Sequence, residues 1–142
     1  MKALKLSRKA PAVQYAALAW RQAGEGREVL LITSRDTGRW VIAKGWPMTG
    51  REPWEAAAIE AFEEAGVRGE VETTAIGTYR YAKRLPRWRE RLVDVQVFCL
   101  RVEEELEDWP ERRQRERAWF APGEAAARVD EPDLAGIIRG LG

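Results

Sequence analysis

Residues 38–67 read Gly-Arg-Trp-Val-Ile-Ala-Lys-Gly-Trp-Pro-Met-Thr-Gly-Arg-Glu-Pro-Trp-Glu-Ala-Ala-Ala-Ile-Glu-Ala-Phe-Glu-Glu-Ala-Gly-Val. No other stretch constrains the chain so tightly. An apolar strand (residues 40–43) enters a Gly/Pro loop, and the loop feeds a helix. Pro53 suits the first helical position, where the missing N–H costs nothing. Gly66 suits the left-handed residue that closes a helix. Between them Glu60, Glu63 and Glu64 stand at i, i+3 and i+4 and share one face. At about 100° per residue, Trp54, Ala58, Ala61, Phe62 and Ala65 fall on the opposite, buried side. Ala56 and Ala57 are expected to flank the acids and leave room beside them.

Clustered carboxylates repel one another, and each i, i+4 like-charge pair costs a few tenths of a kcal/mol. A hard divalent cation removes that cost, and oxygen donors suit Mg²⁺ or Mn²⁺. The competing reading is a solvated acidic helix face.

The spacing around the acids favours the first reading. The stretch resembles the Nudix box, G-x5-E-x7-R-E-U-x-E-E-x-G-U with U apolar. Gly45 matches the first glycine, and Glu60, Ala61, Glu63, Glu64, Gly66 and Val67 match the end. Arg51 stands where the pattern has its first Glu, with Glu52 next door, and Ile59 stands where it has Arg. The resemblance implies an α/β fold, a Nudix-type α/β/α sandwich with a mixed β-sheet. It also implies Glu63 as general base, with the metal (Mg²⁺ or Mn²⁺) held by Glu60, Glu64, Glu63 and the backbone carbonyl of Lys44.

Further segments narrow the resemblance: Thr33-Ser34-Arg35, Gly38-Arg39-Trp40, residues 105–109, Arg115-Glu116-Arg117-Ala118-Trp119-Phe120 and Glu124-Ala125-Ala126. These look like the diphosphoinositol-polyphosphate and diadenosine-polyphosphate hydrolases. That likeness implies a polyphosphate substrate held by Arg35, Arg39, Arg91 and Arg115, and Lys44 itself is within reach of a phosphate. Trp46, in the box loop, is a candidate ligand contact because pockets favour aromatics. Glu116 departs from the subgroup, which tends to be basic there, and this weighs against an inositol polyphosphate.

Composition excludes other chemistries. Histidine is absent, which removes Ser-His-Asp, Cys-His and His-metal sites. Acid–base work therefore falls to carboxylates, Lys, Tyr or water. The single cysteine, Cys99, lies in an apolar run and reads as a small core residue. A net charge of +1 gives no global field for nucleic acid. The opening residues are basic with no apolar run after them, which predicts no secretory signal. No stretch approaches the roughly 18 apolar residues of a membrane span. The expectation is one domain over residues 1–142, in the cytoplasm, as monomer or homodimer, with no membrane or nucleic-acid partner.

Along the chain, residues 1–11 read as a loose arm. Residues 12–21 and 28–34 read as strands of a hairpin across the turn at 22–27. Residues 68–83 read as one strand bent near Gly77, residues 84–91 as a loop, and 92–102 as a strand. A short strand at 117–120, a helix at 124–129 and a helix opened by Pro132 complete the order. Between 80 and 91 the sequence carries Arg80, Lys83, Arg84, Arg87, Arg89 and Arg91, interleaved with Tyr81 and Trp88 and preceded by Tyr79. Two readings stand: a polyphosphate clamp with a ring for a base to stack on, or a solvated charged loop paired with the acids at 103–108. Trp20, Trp40, Trp109 and Trp119 read as core or rim packing. Two other functional classes remain beside the enzyme: a box that senses nucleotide without turnover, which Arg51 and Ile59 favour, and a basic RNA-binding module.

Overall fold

The computed structural model describes residues 5–6 and 10–142. A nine-stranded mixed sheet forms the centre: β1 (Lys5–Leu6), β2 (Ala12–Ala23), β3 (Gly26–Thr33), β4 (Trp40–Val41), β5 (Ala43–Gly45), β6 (Val67–Val71), β7 (Gly77–Leu85), β8 (Arg89–Glu105) and β9 (Arg117–Phe120). The main path runs β1-β8-β2-β3-β4. β8 is parallel to β1 and β2, and antiparallel to β6 and β7.

Alternation along β2 sends its side chains to two different cores. Leu18 packs with Val29, Leu31, Val93 and Val97 beneath α2 (Pro122–Arg128) and α3 (Pro132–Arg139), whose Ala125, Leu134 and Ile138 close that layer. Ala17 and Ala19 pack with Leu30, Ile32, Phe98 and Leu100 against α1 (Pro53–Glu60) and the π-helical turn that continues it (Ala61–Ala65). Helices therefore cover both faces, and the layers form the expected α/β/α sandwich with a mixed sheet.

The ends of the central helix form as the sequence dictates. Pro53 occupies the first turn, and the Glu52 N–H donates to Glu55 Oε1 at 2.8 Å. Gly66 closes the helix at φ +66°, where a side chain would also meet Trp109. The helix face differs from the expectation. Ala57, Ala61 and Ala65 form the buried stripe, Ala56 is buried too, and Phe62 is only half-buried under the Arg68 guanidinium. So many alanines give the apolar pattern little angular contrast. The π-turn then shifts every side chain after it around the axis.

Several strand boundaries also differ. Part of the supposed N-terminal arm, Lys5–Leu6, is a strand beside Arg89–Glu90, while residues 1–4 and 7–9 lie outside the described residues. Residues 68–83 are not one bent strand. β6 and β7 are separate, and both pair with the long β8. The supposed loop at 84–91 is mostly ladder: Arg84 faces Glu90 and Leu85 faces Arg89, leaving a tight turn at 86–88. Cross-strand pairing overrides the local charge density there. Arg87 and Trp88 take positive φ to close the turn. Among the described residues no helix is long and apolar enough to cross a membrane.

Candidate active site

A cleft of about 470 Å³ opens where β2 leaves β5 for β3. Its acidic lining is Glu60 and Glu64 from the central helix, Glu111 from the loop after β8, and Asp36. Its basic lining includes Arg35, Arg39, Lys44, Lys83 and Arg84, with Arg35 Nε 3.9 Å from Glu111 Oε1, and Trp46 lines it too, 45% exposed. Arg115 lines the cleft as well.

The acids of the cleft are brought together by backbone bonds at the helix end. The last carbonyls of a helix lack intrahelical partners and need donors from elsewhere. Trp109 Nε1 donates to the Glu64 carbonyl at 3.2 Å, and the Glu111 N–H donates to the Glu63 carbonyl at 3.0 Å. Arg117 donates to the carbonyls of Ala65, Gly66 and Leu106. These bonds seat Glu111 beside the box glutamates. The sequence reading missed Glu111, whose local signal is its i, i+4 spacing to Arg115.

Burial sets the electrostatics. Glu64 is 6% exposed, and its carboxyl is pushed up to about 9, first by burial and then by a hydrogen bond with Glu60. Arg115 opposes that shift: its Nη2 lies 3.5 Å from Glu64 Oε1 while its Nε donates to Glu111 Oε1 at 2.9 Å. Glu63 is also raised above the usual carboxylate range, by burial and by Glu60 and Glu111. Burial lowers the Lys44 ammonium, with Glu64 and Glu131 opposing, and the ammonium rests 5.1 Å from the centre of the Tyr81 ring. Tyr81 in turn donates to Gln14 at 2.7 Å. Arg39 is held by Glu131 at 2.9 Å and Asp130 at 3.4 Å. Arg35 donates to Gln114 at 3.1 Å.

Glu60, Glu64, Lys44, Arg35, Arg39, Arg115 and Trp46 thus meet in one cleft. Glu63 and Arg91 are not among its lining residues. Glu63 projects from the next position of the π-turn. Arg91 lies opposite Lys83 on β8 and donates to the Ala10 carbonyl at 3.4 Å. The basic stretch is divided likewise. Lys83, Arg84 and Tyr81 line the cleft, Tyr79 is a core residue, Arg80 pairs with Asp94, and Trp88 stands 59% exposed at the hairpin tip. Glu104 and Glu105 pair with Arg68 and Arg21 rather than with this stretch. Of the four tryptophans expected to pack, Trp20 and Trp40 lie against one core and Trp119 against the other, and Trp109 lies under the Arg117 guanidinium.

Carboxylate oxygens are the donors a hard divalent cation prefers, and the strain on Glu64 is of the kind such an ion relieves. As the side chains stand, no group of three or more acidic or cysteine side chains converges on one point among the described residues. The donor set fits a cation in kind, with Arg115 lying against Glu64 and Glu111.

Comparison with known proteins agrees with this architecture. The profile of the NUDIX domain matches residues 12–141. The chain is similar to "Nudix hydrolase 12, mitochondrial" of Arabidopsis thaliana, 37% identical over 101 residues, covering 69% of this chain and 50% of that protein. It is also similar to "Diphosphoinositol polyphosphate phosphohydrolase 3-beta" of Bos taurus, 34% identical over 107 residues and covering 74% and 61%. The chain therefore spans roughly half to three-fifths of these relatives' lengths. In fold it is similar to the C. elegans Ap4A hydrolase, with TM-score 0.62, 16% identity and 92% and 95% coverage. It is similar also to the E. coli dihydroneopterin triphosphate pyrophosphohydrolase, with TM-score 0.68, 16% identity and 99% and 97% coverage.

Proposed function

The chain belongs to the NUDIX domain family, and from that premise we propose that it hydrolyses a phosphoanhydride bond in a nucleotide-type polyphosphate, with a dinucleoside polyphosphate as substrate and Mg²⁺ or Mn²⁺ as cofactor. One observation carries the proposal: Glu60, Glu64 and Glu111 line a single cleft together with Arg35, Arg39, Lys44, Lys83 and Arg84. Oxygen donors for a cation beside several donors for phosphate oxygens suit a metal-bound phosphate chain.

Each residue has a role. Glu60 and Glu64 would hold the ion, and Glu63, the Lys44 carbonyl and Glu111 would be further oxygen donors. When bound, the ion neutralises phosphate oxygens and makes water a better nucleophile. Glu63, which lies beside the cleft rather than in its lining, would take the proton from the attacking water. Lys44, Arg35, Arg39 and Arg115 bind phosphate oxygens, with Lys83 and Arg84 as further cations lining the cleft. Trp46 at the rim offers a face for a base to stack on. The name of the Bos taurus relative motivates the alternative of a diphosphoinositol polyphosphate.

A second reading has its own support. The acids do not converge as they stand, and Arg115 lies against Glu64, an arrangement compatible with nucleotide binding without turnover. Incubation with diadenosine tetraphosphate and Mg²⁺, followed by product chromatography, separates the two. Hydrolysis that Glu63→Gln removes supports the enzyme. Wild type and variant that both bind nucleotide and are equally inert support the sensor.

A further inference from the structure

Arg115 is nearly buried: its side chain is 10% exposed and that of its partner Glu64 is 8%. A charge so placed is costly unless it is paired. Its Nε donates to Glu111 Oε1 at 2.9 Å, one Nη lies 3.5 Å from Glu64 Oε1, and the other donates to the Thr33 carbonyl at 3.1 Å. Two of these three contacts are carboxylates proposed above as cation donors. Arg115 also lines a second, shallower recess beside the cleft, together with Arg35, Arg112 and Arg113. The guanidinium stands between a carboxylate cluster and an arginine-rich surface.

We propose that Arg115 is the resident counter-ion of the cation seat, paired with Glu111 and lying against Glu64 until a divalent cation displaces it towards the phosphate of the substrate. The inference rests on the reading of the cleft as a cation site. A divalent ion drawn to these carboxylates competes with the guanidinium, because the two cations repel each other at short range. Ion uptake therefore weakens the bonds from Arg115 to Glu64 and Glu111, while the Thr33 carbonyl keeps the guanidinium in the cleft. There it shares the lining of both cleft and recess with Arg35, itself 3.9 Å from Glu111, and adds a donor for an oxyanion. Cation and oxyanion then bind with reciprocal cooperativity. In this scheme Arg115 sets how readily the carboxylates accept the ion and then contacts the phosphate.

A purely structural arginine makes the opposite prediction, since its loss would loosen the carboxylates and weaken the ion. The test is calorimetric titration of the full chain with Mg²⁺ for wild type, Arg115→Met and Arg115→Lys, with circular dichroism to confirm folding. Arg115→Met is expected to bind Mg²⁺ more tightly, by about five- to 150-fold, the usual span of such couplings, with Arg115→Lys between. Mg²⁺ should strengthen sulfate binding in both proteins, by a larger factor in wild type than in Arg115→Met. In wild type itself, saturating Mg²⁺ should remove the protected Arg115 Nε–H signal from nitrogen-15 NMR spectra, a signal assigned by its loss in Arg115→Lys. Equal or weaker Mg²⁺ binding by a folded Arg115→Met, or an Nε–H signal unmoved by bound Mg²⁺, overturns the inference and leaves the cation site standing. Absence of Mg²⁺ uptake by wild type and variants alike, with and without nucleotide, overturns the site reading as well.

Discussion

The carboxylate of Glu60 occupies the space that a side chain at Gly45 would fill. Gly45 lies on β5, opposite Tyr15 of β2, and its bare α-carbon lets the acid reach the floor of the cleft. Gly45→Ala should therefore turn the Glu60 carboxylate aside. The obstacle is the end of a flexible side chain, so the fold should tolerate the change. We expect hydrolysis to fall by about 10- to 100-fold, the range for misplacing a group by an ångström, with thermal unfolding close to wild type. Unaltered turnover in the alanine variant would remove Glu60 from the site.

Glu63→Gln keeps the shape of the side chain and removes its basicity. Loss of a positioned general base typically costs about 10²–10⁴ in rate. We expect that loss in kcat, with little change in substrate affinity measured by equilibrium binding. Ile59→Arg tests the departure from the box: a large gain in turnover would show that the natural site is impaired.

Glu64 holds its proton more tightly in the folded state than its ordinary value of 4.5 allows, up to about 9, because it is buried and bonded to Glu60. A raised carboxyl pKa contributes stability in full below the unfolded value and loses it as pH climbs through the folded one. The metal-free protein should accordingly melt at progressively lower temperature from about pH 5 to pH 9. Glu64→Gln imitates the protonated form and should flatten that slope. Thermal scans in chelator across this range decide it, and an identical slope in the variant assigns the effect elsewhere.

Arg117 serves the carbonyls of Ala65, Gly66 and Leu106 and covers the Trp109 ring at 3.9 Å. Arg117→Met leaves those helix-end acceptors without their donor. Urea unfolding should show a loss of about 2 kcal/mol, the scale of a charged hydrogen bond left unmade. Because Glu111 is seated by the same loop, activity should fall with it.

Cys99 is 3% exposed, and burial first, then Glu72, pushes its thiol up to about 11. Thiolate is the reactive form. At pH 8 the native protein should show no fast thiol in a disulfide-exchange assay, and one thiol per chain should appear after unfolding in guanidinium. Rapid labelling of native protein would contradict the packed position of Cys99.

Local chemistry made much of the site legible before any coordinates. Proline and glycine act within a few residues of themselves, so Pro53 and Gly66 bounded the central helix correctly. Glutamates at i, i+3 and i+4 were expected to share one face; Glu60 and Glu64 line the cleft, while Glu63, on the π-turn, does not. The direction of the alanine stripe was not legible, since alanine gives too little contrast to orient a helix and a π-turn breaks the angular count. The length of β8 was not legible either, because its basic and acidic ends are paired by partners far along the chain.

By itself the sequence determined which groups are available: oxygen donors at helical spacing, a glycine loop before them, arginines on both sides, no histidine and one apolar-flanked cysteine. Tertiary structure alone decided which of them meet. It brought Glu111 to the box through one backbone hydrogen bond, left Arg91 beside Ala10, and tied Arg39 to Glu131, 92 residues away. Residue type and short-range periodicity travel with the chain. Burial and the pairing of distant charges exist only once the sheet has brought its strands together, and these are what move the pKa values and assemble the cleft.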